Sequence, residues 1–122
     1  MAATANIVVS GSIQGTPTGS KTIGPIAITS ATANGNVQLI VLQAGANTIT
    51  VPTIPATTGC IITLPATNTS VTTLKGVTGD TGIAIGKMTA QVLTWDVAAA
   101  PATFVLTSVS TQTGLATEIA FF

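Results

Sequence analysis

Asp80-Thr81-Gly82 is the one stretch of this 122-residue chain whose residue types match a catalytic device. In small β-rich homodimeric proteases, one such triplet per subunit supplies a carboxyl. The two carboxyls share a proton because like charges at close range cannot both ionise. The flanks here do not fit that device. Its aspartate follows an apolar strand, whereas Asp80 follows Thr78-Gly79; its glycine leads into Ala or Ser, whereas Ile83 follows Gly82. The segment reads as a Gly-Asp-Thr-Gly turn whose carboxylate caps local amides.

Other chemistry is excluded by what it would need. Gly15-Thr16-Pro17-Thr18-Gly19-Ser20-Lys21-Thr22 has three residues between its glycines and serine before the lysine. A phosphate-binding P-loop needs four, and glycine directly before the lysine. The chain has no histidine, so no Ser-His or Cys-His pair can activate a nucleophile. Cys60 is the only cysteine; it has no disulfide partner and no basic neighbour to lower its pKa, and it reads as a small buried hydrophobe. Asp80, Asp96 and Glu118 are too few for a zinc or EF-hand site within one chain and read as solvated charges. No catalytic residue, metal site or cofactor is expected. Trp95 in Val92-Leu93-Thr94-Trp95 reads as core, with sugar stacking as the alternative. Threonine pairs such as Thr48-x-Thr50 lack the fixed period of an ice-binding array.

The elements that position these residues are set by composition. Charged residues make up 5% of the chain, hydrophobic residues 46%, and mean hydropathy is +0.68. A folded chain of this mass exposes roughly 6,000 Å², so its six charges (Lys21, Lys75, Lys87, Asp80, Asp96, Glu118) fall about one per 1,000 Å². A standard interface takes roughly 800 Å² from each partner. Almost any patch can therefore be covered without stranding a charge, as suits a homo-oligomer or a component of an assembly. Three lysines and zero net charge exclude nucleic acid as a partner, and no polybasic patch points to a membrane. The N-terminal residues lack the basic and apolar regions of a signal peptide, which predicts synthesis without Sec export. The sequon Asn68-Thr69-Ser70 then carries no meaning.

Thr, Val and Ile dominate, no helical period is sustained, and Gly, Pro, Asn and Ser interrupt the chain at short intervals. This pattern predicts a single all-β domain over 1–122, a sandwich or barrel. Strands are expected at 6–14, 20–29, 36–43, 46–52, 59–64, 70–77, 82–86, 89–95, 102–109 and 115–122. Val37 to Val51 reads as a hairpin turning at Gln43–Asn47, with Ile49 and Val51 inward and Thr48 and Thr50 outward. Ile49-Thr-Val-Pro52 is echoed by Ile62-Thr-Leu-Pro65, each proline ending a strand. Residues 11–24 read as a hairpin tip or flexible arm, with Thr16, Pro17 and Thr18 as its candidate contact. Ile119, Phe121 and Phe122 are expected to be sheet-paired, buried in the core or at a subunit interface.

Lys75-Gly-Val-Thr-Gly-Asp-Thr-Gly-Ile-Ala-Ile85, then Val92-Leu-Thr-Trp-Asp96 and Ala102-Thr-Phe-Val-Leu-Thr107, resembles small virion structural proteins of tailed bacteriophages. The resemblance covers roughly the C-terminal half. It implies a jelly-roll-like β-sandwich of about eight to ten antiparallel strands. It also implies a homotrimer that decorates or cements the capsid by bridging major capsid subunits. A tail, baseplate or fibre module and a host-glycan-binding β-domain are the alternatives. On this reading the protein is made in the host cytoplasm and resides on the virion.

Overall fold

The computed structural model describes residues 3–16, 19–33, 35–53, 56–87 and 89–122. Among these residues there are ten strands: β1 (Ala3–Thr16), β2 (Gly19–Ala33), β3 (Val37–Ile40), β4 (Gly45–Thr50), β5 (Gly59–Thr63), β6 (Thr72–Lys75), β7 (Ile83–Gly86), β8 (Ala90–Thr94), β9 (Thr103–Ser108) and β10 (Thr117–Phe121). They form a two-stranded ribbon, β1-β2, and two four-stranded antiparallel sheets ordered β3-β10-β5-β8 and β4-β9-β6-β7. From β3 onward each strand passes to the other sheet, save β6 and β7, which are neighbours in one sheet. This is the order of an eight-stranded jelly roll.

That topology corrects the expected Val37–Val51 hairpin. β3 and β4 lie in different sheets, so Gln43–Asn47 is a corner between layers. Asn47 holds the corner with its side chain. Its Oδ1 accepts from Gln43 N at 2.9 Å, and its Nδ2 donates to the carbonyls of Gln43 at 2.9 Å and Leu106 at 3.1 Å. Asparagine supplies both the donor and the acceptor that such a turn requires. The expected alternation within β4 is present: Ile49 and Val51 are buried, Thr48 and Thr50 exposed.

The core lies between the two sheets. Ile62, Ile119, Cys60 and Phe121 face it from one side, and Ile49, Phe104, Leu106 and Ile85 from the other. The echoed tetrapeptides have one cause. In each, two inward residues (Ile49 and Val51; Ile62 and Leu64) close a strand on the core before proline ends it. At the edge of the core, Asn68 is buried. Its Nδ2 donates to the carbonyls of Ser70 and Lys87, and its Oδ1 accepts from Ser70 N. The sequon asparagine is a structural clasp.

Residues 11–24 are largely strand. β1 runs on to Thr16, which pairs with Gly19, and β2 leaves directly from there; Pro17 and Thr18 lie outside the described residues.

Candidate functional site

The residues weighed for chemistry are spread through the molecule in structural roles. Asp80 sits in the turn joining β6 to β7, where its Oδ2 accepts from Val77 N at 3.0 Å. Gly82 closes that turn at φ 74°, a conformation that favours glycine. Asp96 caps the 3-10 turn Val97–Ala99, its Oδ1 accepting from Ala98 N at 2.8 Å. Cys60 is fully buried, and burial pushes its thiol from 9.0 up to about 12. Glu118 stands exposed on β10. Among the described residues no three His, Cys, Asp or Glu side chains gather where a metal ion could bind.

The C-terminal residues expected in the core or at an interface are in the core. Ile119, Phe121 and Phe122 are 0%, 3% and 4% exposed within a single chain, so they have almost no surface left for a partner. The reason is topological. β10 is a central strand, paired with β3 on one side and β5 on the other, and its inward side chains meet the opposite sheet.

Surface suited to a partner lies on the back of that same sheet. Cross-strand register places Val37 opposite Ala120, Ala120 opposite Ile61, and Ile61 opposite Val92. Partners in register share a face. These four side chains therefore make one apolar row across the full width of the sheet. Val37 and Val92 are 57% and 38% exposed, and Leu39, one step along β3, is 68% exposed. Glu118, between Leu39 and Thr63, is the only charged residue in the four strands. The second sheet turns a different face outward, where Thr48, Thr50 and Thr103 are exposed. One outer face of the sandwich is apolar and the other is threonine-rich.

This row left a signal in the sequence that alternation alone does not reveal. Strands with one wet face alternate, whereas strands covered on both faces run continuously apolar. Leu39-Ile40-Val41-Leu42, Ile61-Ile62 and Val92-Leu93 are such runs.

A cleft of about 530 Å³ opens where edge strands β7 and β8 part. Leu74, Ile83, Leu93, Trp95 and Phe104 form its apolar walls, with Lys75 and Asp80 also on its lining. Trp95 is half-buried, and its indole N–H is committed to the carbonyl of Thr57 at 2.9 Å. The ring thus offers the cleft an apolar surface and no spare donor.

Comparison with protein families, with curated proteins and with solved structures gives no match.

Proposed function

We propose that this chain is a non-enzymatic structural protein of a bacteriophage particle, a capsid decoration or cement protein that bridges neighbouring major capsid subunits. The observation that carries the assembly role is the apolar row Val37–Ala120–Ile61–Val92, which leaves a whole sheet face ready to be covered with a single charge upon it. Exposed apolar surface of this continuity marks an interaction site. The virion address and the trimer rest on the resemblance of Lys75–Thr107 to small phage structural proteins. Repetition over a capsid lattice multiplies a modest free energy per copy, so a face without hot-spot arginines suffices.

Reconstitution on heads lacking the protein tests this reading. Added chain is expected to bind those heads, to raise the temperature at which they release DNA, and to stay bound from low to high salt, because few charges take part. Heads that neither bind it nor gain thermal resistance would exclude the capsid role. Antibody label on tail or baseplate instead of head would favour the tail-module alternative. The Trp95 cleft supports a second reading, binding of a host glycan. Glycan-array binding lost in Trp95→Ala would establish it.

A further inference from the structure

The β1-β2 ribbon has two unlike faces. Register pairs Ile7 with Ile28, Val9 with Ile26, Gly11 with Ile23 and Ile13 with Lys21. Cross-strand partners share a face, so Ile7, Val9, Ile13, Ile23, Ile26 and Ile28 all stand on one side. A plain period of two would put Ile23 and Ile26 on opposite sides. The register shift between Val9 and Gly11, opposite Gly24 and Pro25, brings them back together. Gly24 has φ 71°, and a β-carbon there would strike the carbonyl of Val9. The bulge therefore requires glycine. The other face is mainly polar: Thr4, Asn6, Ser10 and Thr22 are exposed there, and Val8 with Ala27 is its one apolar pair. At its tip, Gln14 accepts from Ser20 Oγ at 2.8 Å and donates to Ser12 Oγ at 3.0 Å.

The apolar side has no covering layer among the described residues. β1 and β2 pair only with each other, and Ile13 and Ile26 are 51% and 53% exposed. A lone two-stranded ribbon is marginal in water, the more so with one bare apolar face.

We propose that the same face of a second copy covers it, the two ribbons packing antiparallel about a two-fold axis. Size permits this. The 14 residues of β1 extend about 45 Å, and two strands are about 10 Å wide. Two such faces bury on the order of 1,000 Å², the lower size of a specific contact. Charge favours self-pairing. The stripe is uncharged except for Lys21 near its tip, so it demands no complementary partner and matches itself, as a two-fold contact must. Antiparallel packing sets the two Lys21 side chains roughly 25 Å apart, well beyond the screening length. Parallel packing would bring them together. The midpoint between the pairs Ala5–Ser30 and Ile13–Lys21 is Val9–Ile26, which places the axis there. This contact joins copies to one another, whatever the sandwich face attaches to.

Light scattering over a range of concentrations tests it on the full chain. The wild type is expected to hold an even number of copies, six where the trimer also forms and two where it does not, and Ile26→Lys and Ile13→Lys should each halve the mass with the far-ultraviolet spectrum unchanged. Val8→Lys, at a site 56% exposed on the polar face, should keep the wild-type mass. A monomeric wild type, a mass unmoved by Ile26→Lys, or equal loss in Val8→Lys would overturn the proposal. Orientation has its own readout. A short bismaleimide should join copies of Ile26→Cys and leave Ile13→Cys unjoined, since Cys60 is buried. Joining of Ile13→Cys copies would overturn the antiparallel arrangement. Loss of the dimer would leave binding to heads unaffected, so the two readings fail separately.

Discussion

The ring of Phe122 lies over Gly59, so that a β-carbon at Gly59 would stand 2.8 Å from the ring Cζ. The same two residues are joined through the main chain. Phe122 N donates to Gly59 O at 3.0 Å and Gly59 N to the Phe122 oxygen at 3.3 Å, an oxygen that Thr58 N also reaches at 2.7 Å. Glycine is thus needed in β5 because the Leu93 carbonyl, which lies nearest, and the Phe122 ring together take the space of its side chain. Phe122→Ala should destabilise by about 3–5 kcal/mol through the cavity it leaves. Gly59→Ala should cost about 2 kcal/mol or more, as the ring and the Leu93 carbonyl are both in the way. The double variant should cost less than the sum, because the ring half of the clash is gone. Strict additivity in urea unfolding would mean the two residues do not meet.

Asn47 makes a separable test of the jelly-roll corner. Its amide bonds Gln43 at both main-chain groups and reaches the Leu106 carbonyl on β9. Asn47→Ala removes all of these, at about 1 kcal/mol for each bond lost and more for any group left buried and unpaired. We expect a loss of about 2–3 kcal/mol in denaturant unfolding. Asn47→Asp keeps the acceptor for Gln43 N and loses the donors, so it should fall between. A hairpin turn on the surface would tolerate Asn47→Ala with almost no change, and that outcome would contradict the corner.

This corner also shows where sequence reading stops. All ten strands are legible because β-branched runs and Gly, Pro or Asn breaks are local signals. Pairing is not local. Val37–Ile40 and Gly45–Thr50 are separated by four residues, with glycine opening the second strand, which suits a hairpin as well as it suits a corner between sheets. Only the inward demand of Ile40, Leu42 and Ile49 from opposite layers decides, and that is a property of the packed core. Phe121 and Phe122 pose the same problem, since core and interface ask for the same residue types. The ribbon's apolar face escaped notice because the bulge at Gly24 breaks the period of two that would reveal it.

Cys60 gives a prediction in pH. Burial raises its thiol from 9.0 to about 12 in the folded chain. The folded state therefore holds a proton that the unfolded state releases between those values. Stability contributed by the neutral thiol is fully present below pH 9.0 and declines as pH rises toward about 12, with a slope of about 1.4 kcal/mol per unit. Cys60→Ala should remove that slope while costing some stability at neutral pH through lost packing. Native protein should also resist iodoacetamide at pH 9, with labelling appearing only on unfolding. Rapid labelling of the native chain would show that the thiol is reachable and that the core around it opens.

The apolar row makes the sharpest demand on the proposed attachment. Leu39 and Val92 are on the outer side of their sheet and take no part in the core, so Leu39→Lys and Val92→Lys should each change stability by no more than about 0.5 kcal/mol. Leu39→Lys even gains a neighbour of opposite sign in Glu118, directly across the strand pair. A lysine buried at a contact without a partner is costly, so Val92→Lys should bind heads far more weakly than the wild type, and Leu39→Lys, with Glu118 beside it, should lose less. Thr48→Lys on the other sheet's outer face is the matched control and should bind as the wild type does. Pelleting the chain with heads measures all three. If Thr48→Lys alone lost binding, the threonine face would be the attachment surface. The apolar row would then need another occupant.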